Sequence, residues 1–234
     1  MLRYFARTAA WLVAALLVAA PAAAQVVQGF QIGGGGFMPA GYDARPSNDV
    51  LVTDLNTQTF DIGHFNGAQV FGEYNVDLGK HLEVGAGLGY YQRTTPSVIS
   101  GFVNTDGSDI AQNLRLRIIP ISAVVRFMPF GKPGHVQPYV GAGVAALRWR
   151  YSEFGEFLDN TNTNIFNAAF VGTGTSPAGI LLGGVRLPMN GDVFGVMAEI
   201  RYTWGTGNLS TNDFLSNKID LSGTSVNFSF QVRY

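Results

Sequence analysis

Apolar and polar residues alternate strictly over "SVNFSFQVRY", Ser225 to Tyr234, with Val226, Phe228, Phe230, Val232 and Tyr234 against Asn227, Ser229, Gln231 and Arg233. A two-residue period with one apolar face predicts a strand. The same period recurs along the chain. Ala68, Val70, Gly72, Tyr74, Val76 and Leu78 share one face, and Leu82, Val84, Ala86, Leu88 and Tyr90 another, with a turn at Gly79-Lys80 between them. "LRLRIIPISAVVRFMPF" places Ile121, Ala123, Val125 and Phe127 together, and Pro120 predicts a bulge that shifts their phase relative to Leu114 and Leu116. Val140, Ala142, Val144 and Ala146 form the next face, then Leu181, Gly183, Val185 and Leu187, then Phe194, Val196, Ala198, Ile200, Tyr202 and Trp204. "VQGFQIGGGGF", Val27 to Phe37, supplies the first strand and the closing quotation the eighth.

The connections alternate in length. Gly79-Lys80, Gly131–His135 and Met189–Asp192 are short. Pro39–His64, Thr94–Asn113, Ser152–Ser176 and Gly205–Ser222 are long and polar. An even number of strands of about ten residues, with short turns at one end and long loops at the other, predicts an all-β fold: an eight-stranded antiparallel up-and-down transmembrane β-barrel. No segment past the N-terminus reads as a membrane helix, which needs about 20 apolar residues.

Composition sharpens this picture. Only 13% of the 234 residues are charged, about half the ~25% of soluble domains. The formal net charge is −1, leaving no basic surplus for a nucleic-acid partner. The absence of cysteine excludes disulfides, thiolate metal sites and a cysteine nucleophile. Arg3 and Arg7, the apolar run Ala9–Ala20 and the small residues Ala22-Ala23-Ala24 form a secretory signal peptide over residues 1–24. Cleavage leaves residues 25–234 as a single barrel domain outside the cytoplasm.

On the outward face, Tyr90, Trp149, Tyr151, Tyr202 and Trp204 gather near the long loops, and Phe127, Phe130, Tyr139 and Tyr234 near the short turns. These read as two interfacial girdles in contact with outer-membrane lipids. Inward positions carry Glu73, Glu83, Arg126, Arg186, Glu199, Arg201 and Arg233. An eight-stranded barrel is just wide enough for side chains, so these charges are expected to pair into a lumen network.

The terminal "FSFQVRY", the stretch "IPISAVVRFMPFGKPGHVQPYVGAGVA" and the leader together resemble the small outer-membrane β-barrel superfamily, which includes the opacity-like proteins, OmpA-type transmembrane domains and the OmpW group. The resemblance covers about Val27 to Tyr234. It implies the outer membrane of a Gram-negative-type bacterium, passage past periplasmic chaperones, and insertion by the barrel-assembly machinery. That machinery would read Phe228, Phe230, Val232 and Tyr234 as the terminal assembly strand.

Enzyme chemistry finds little support. "GGGG", Gly33 to Gly36, and "GAGVAA", Gly141 to Ala146, lack the strand-to-helix context and Lys-Ser/Thr of a nucleotide loop. "NTDGSD", Asn104 to Asp109, lacks the terminal Glu of a calcium loop. His81 and His135 fall at short turns, and His64 near Asp61 has no nucleophile beside it. No catalytic, cofactor or metal residue is assigned. The expected function is non-enzymatic display of four surface loops, in a structural, adhesive or envelope-integrity role, above a side-chain-filled lumen, toward a surface ligand of unknown identity. The alternatives are an OmpW-like porin or conduit for small hydrophobic molecules, with Phe71, Tyr91, Leu182 and Met197 facing the lumen, and a lipid-modifying enzyme.

Overall fold

A computed structural model describes residues 27–131, 135–159 and 164–234. The leader and the centre of the Gly131–His135 turn lie outside these residues. Ten strands run in chain order: β1 (Gln28–Pro39), β2 (Gln58–Thr59), β3 (Gly67–Asp77), β4 (Leu82–Val103), β5 (Asp109–Phe127), β6 (Gln137–Leu158), β7 (Ile165–Met189), β8 (Phe194–Asn208), β9 (Lys218–Asp220) and β10 (Gly223–Arg233). Among these residues a short α-helix, α1, spans Val50–Asp54, with single 3-10 turns at Tyr42–Ala44 and Ile62–Phe65.

Eight of these strands close a ring in the order β1, β3, β4, β5, β6, β7, β8, β10, with β10 pairing back onto β1. Every neighbouring pair in the ring is antiparallel. Closure satisfies the backbone of each spanning segment without leaving an edge, as a bilayer demands.

The register sets the tilt. From Glu83, the pairing leads through Arg126, Gly141, Leu182, Arg201, Ser225 and Phe37 to Gly67. Gly67 lies two residues before Gln69, which pairs Tyr91, so the path returns opposite Arg93, ten residues further along β4. Eight strands with this stagger tilt by roughly 35–45° from the barrel axis. Residues far apart along a slanted row therefore meet at one depth in the lumen.

Side-chain alternation holds on every wall strand. Phe30, Ile32, Val70, Leu88, Ile121, Val125, Val140, Val144, Leu181, Ile200 and Phe228 all point outward and are exposed. A soluble fold would not leave such a band in water; a bilayer requires it.

Two features differ from the sequence expectation. The first is that Pro120 introduces no bulge. The sum of paired residue numbers is unchanged from Leu82↔Phe127 to Val98↔Ala111, and only the Gly89 and Tyr90 pairings are missing beside it. Leu114 and Leu116 therefore point inward and are fully buried, while Arg115 and Arg117 point outward. The ring of Pro120 removes a donor but fits an extended backbone, so the phase survives. The second is that two long connections are mostly strand. β4 with β5, and β6 with β7, continue as long hairpins, β4 ending at Val103 before β5 begins at Asp109, and β6 ending at Leu158 before β7 begins at Ile165. At 22 and 25 residues, β6 and β7 far exceed the ~9–11 residues a tilted strand needs to cross.

Candidate functional site

The lumen has two chemically distinct halves. Toward the short turns it holds charge. Arg126 is the hub: its guanidinium donates to Glu73, to Asn75 Oδ1 at 3.1 Å, to Glu83 at 3.3 Å and to Glu199 at 3.1 Å. Arg201 binds Glu199 at 2.8 Å and Glu73 at 3.3 Å. Tyr139 donates its hydroxyl to Glu199 at 3.1 Å. Arg233 reaches Glu83 at 3.2 Å, Asp77 at 2.7 Å and Asp192 at 2.5 Å, and Arg186 meets Asp192 at 2.5 Å. The seven charged residues read from the alternation thus share one network. Asp77 and Asp192 complete it, giving four guanidinium groups against five carboxylates.

Glycines make room for this network. A Cβ on Gly85 would lie 2.5 Å from Glu73 Oε1, and one on Gly195 would lie 3.0 Å from Arg186 Nε. Asp192, in a turn with Asn190 and Gly191, holds a φ of 76°. This left-handed conformation is costly for a residue other than glycine. The two guanidinium groups that converge on its carboxylate hold it there.

The other half is apolar. Leu114, Leu116 and Ile118 from β5, Leu147, Trp149 and Tyr151 from β6, and Ile180 from β7 point inward. From above they meet Val50 and Leu51 of α1, Phe65, Ile219 and Leu221, all at most 4% exposed. The connections 40–66 and 209–222 therefore fold into a cap that fills the barrel mouth. Polar contacts fix it. Asp49 caps α1 by accepting from Leu51 N at 3.1 Å, pairs with Arg45 at 2.8 Å, and accepts from Asp220 N at 2.5 Å. Arg45 also donates to Asp220 O at 3.2 Å. One buried ion pair thereby ties the two connections together. Between the charged floor and the apolar cap lies a cavity of about 60 Å³ beside Phe71, Ser122, Leu147 and Arg201, room for a few waters.

Trp149 departs from the expected girdle. It is 3% exposed and donates its indole N–H to Ser176 Oγ at 3.0 Å inside the cap. Tyr151 and Tyr139 are likewise buried in the lumen. The cause is parity: with Val140, Ala142, Val144 and Ala146 outward, odd-numbered residues of β6 must face in. Tyr90, Tyr202 and Trp204 do face outward at 44%, 46% and 44% exposure, and the Tyr202 and Trp204 rings stack at 6.1 Å. Phe228, Phe230, Val232 and Tyr234 occupy the outward face of the last strand.

A carboxyl pair lies under the cap. Asp54, at the end of α1, accepts from the Tyr151 hydroxyl at 3.0 Å. Burial pushes Asp54 up to about 8, reinforced by the adjacent Glu153, and burial likewise raises Glu153 to about 7. The remaining oxygens, Asp54 Oδ1 and Glu153 Oε1, have no donor. One proton shared between them supplies what both lack.

Outside the barrel mouth the hairpins and cap enclose a cleft of about 540 Å³ whose lining includes Phe102, Phe157, Phe166, Phe170, Phe214 and Leu215. Phe102, Phe166 and Leu215 are exposed there. The histidines stand apart. His81 Nδ1 lies 2.9 Å from Met128 O, and the His64 carbonyl accepts from Arg93 at 3.0 Å. Asp61 caps its own turn by accepting from Gly63 N at 2.7 Å. The Asn104–Asp109 segment is a hairpin turn in which Asp106 accepts from Ser108. Among the described residues no group of three or more His, Cys, Asp or Glu side chains could hold a metal ion.

A closed, staggered ring with an apolar exterior, a charged lumen and long strands beyond one rim defines an outer-membrane β-barrel protein. The chain belongs to the outer membrane protein beta-barrel domain family, whose profile matches residues 10–233. Among solved structures it is similar to the Neisserial surface protein A, at 13% identity and a TM-score of 0.46 over 89% of this chain and 96% of that one. It is also similar to the N-terminal barrel domain of Pseudomonas aeruginosa OprF, at 11% identity and 0.38 over 89% and 97%. A third is the attachment invasion locus protein Ail of Yersinia pestis, at 10% and 0.41 over 90% and 100%. No curated protein matches the sequence.

Proposed function

We propose that this protein is a closed, non-enzymatic barrel that presents a folded platform at the cell surface for contact with an external partner. The observation that carries this reading is the double closure of the lumen. A guanidinium–carboxylate floor sits at one depth and an apolar cap at another, with a cavity of only about 60 Å³ between them. Ion passage would require breaking both. A platform, by contrast, needs a rigid base, and the cap provides one for the hairpins above it. The exposed Phe102, Val103, Phe166 and Leu215 at the platform give a partner apolar surface to bury.

The residues that would line a conduit face the lumen but are packed closed: Phe71 borders the small cavity, with the Arg201 guanidinium 6.0 Å from its ring centre. Tyr91 donates to the Phe65 carbonyl and packs edge-on against Phe37 at 4.8 Å. Leu182 and Met197 face inward and are buried. In this reading the leader is removed and the mature chain resides in the outer membrane, with its hairpins outside the cell.

Planar-bilayer recording of the refolded mature protein tests the closure, and the expected result is no steady conductance. Replacement of the two hairpin tips by short turns tests the display role. Cells carrying the trimmed protein should retain folded, heat-modifiable barrel but lose attachment to protein-coated surfaces. Steady conductance by the wild type, or unchanged attachment after trimming, would overturn the proposal.

A further inference from the structure

Arginine is distributed unevenly. Past residue 24 the chain has ten: Arg126, Arg186, Arg201 and Arg233 in the lumen, Arg45 in the cap, Arg93 at the β3–β4 rim, and Arg115, Arg117, Arg148 and Arg150. The last four lie on the outer face of β5 and β6. Arg117 is directly opposite Arg150 in the ladder, Arg148 faces Ile119, and Arg115 faces Ser152. Below them on the same strands the outward residues turn wholly apolar: Ile119 and Ile121, then Ala146 and Val144. Tyr90 of the girdle lies in the same row as Ile119 and Arg148, between the Leu88↔Ile121 and Tyr91↔Ile118 pairs.

Among the described residues none of the four makes an ion pair. Arg115 donates to Thr94 Oγ1 at 3.0 Å and lies 4.8 Å from the Phe154 ring centre, which holds its guanidinium outward. Like charges directly opposite in a ladder destabilise it. Their pairing is explained if an anion sits between them. The depth identifies the anion: the patch begins where the lipid-facing stripe ends, at headgroup level. Guanidinium binds phosphate in bidentate fashion, and more strongly where water is scarce.

We propose that Arg115, Arg117, Arg148 and Arg150 bind the phosphate groups of phosphorylated glycolipid in the outer leaflet, anchoring the β5–β6 wall to the lipid around it. This rests on the hairpin end facing outward and is independent of whether the lumen conducts. Thr173 and Gln92, opposite Arg150 and Arg117, supply further hydrogen-bonding groups at the edge of the patch.

The test uses the refolded mature protein in neutral detergent, with heat-modifiability on gels as the readout of the unfolding midpoint. Bisphosphorylated lipid A should raise the midpoint by about 5–10 °C at saturation. Lipid A stripped of phosphate should not. Inorganic phosphate or a sulfated polysaccharide at matched ionic strength should not replace it, because neither is held at the lipid boundary. The variant Arg117→Gln/Arg150→Gln gives a change of sign. Without lipid A it should unfold at or above the wild-type midpoint, since repulsion is relieved. With lipid A it should gain far less than the wild type. Arg93→Gln, outside the patch, should respond as the wild type does. An equal response to phosphate-free lipid A, or an equal gain by the paired variant, would overturn the assignment to lipid phosphate. Full replacement by the soluble polysaccharide would instead assign the patch to glycan.

Discussion

Arg126 is fully buried and meets three carboxylates, so its removal leaves Glu73, Glu83 and Glu199 crowded without their shared counter-charge. Arg126→Met should lower barrel stability in detergent by about 3–5 kcal/mol, the usual cost of breaking a buried pair. Glu199→Ala should cost less, because Arg126 and Arg201 both retain Glu73. Adding Arg201→Ala to Glu199→Ala should deepen that loss, because it also removes the Arg201–Glu73 pair. Urea titration of folded barrel would check the order, and equal stability of all three variants would contradict a network. The seven lumen charges were legible because a two-residue period assigns a face to each position once the apolar face is known. Asp192 was not, since it sits in a turn where no period operates. Trp149 was misplaced for the opposite reason: its aromatic identity suggested a girdle although the parity of β6 already turned it inward.

At the scale of elements, the cap is where the sequence says least. Residues 40–66 and 209–222 carry no sustained alternation, and their structure depends on contacts between distant segments, such as Asp49 with Asp220 and Asp54 with Tyr151. The carboxyl pair makes this cap pH-sensitive. In the unfolded chain Asp54 and Glu153 titrate near 3.8 and 4.5; in the folded cap burial raises them to about 8 and about 7. Between roughly pH 4 and pH 8 the docked cap therefore binds more protons than the undocked one, so its stability falls as pH rises through that window and levels off above it. Hydrogen-exchange protection factors for residues 50–65 should decline over the same range. Asp54→Asn, which keeps a neutral group beside Glu153, should flatten the upper part of the decline. A protection profile that rises with pH would contradict the shared proton. The lengths of β6 and β7 were also hidden, because the stretch from Ser152 to Ser176 divides its apolar residues, such as Phe154, Phe157, Phe170 and Val171, between both faces once it leaves the bilayer, and a single apolar stripe no longer marks the strand.

For the whole molecule, the placement of the barrel in lipid can be read from its own tryptophans. Past residue 24 there are two, Trp149 and Trp204. They lie on opposite sides of the wall: Trp204 is 44% exposed on the lipid-facing surface beside Tyr202, and Trp149 is 3% exposed beneath the cap. Lipids brominated near the headgroup end of their chains should quench the single-tryptophan protein Trp149→Phe strongly, because Trp204 touches the boundary where the bromines sit. The single-tryptophan protein Trp204→Phe should be quenched weakly by any brominated lipid. Its emission should also be the bluer of the two, since Trp149 is shielded from water by Leu147, Tyr151 and the cap. Raising the pH toward 8 should red-shift Trp149 alone, because weakening of the Asp54–Glu153 contact loosens the cap above it without disturbing the girdle. Equal quenching of the two proteins would mean that β6 does not carry the parity described here. With it would go both the inward Trp149 and the outward arginine patch, which are fixed by the same alternation.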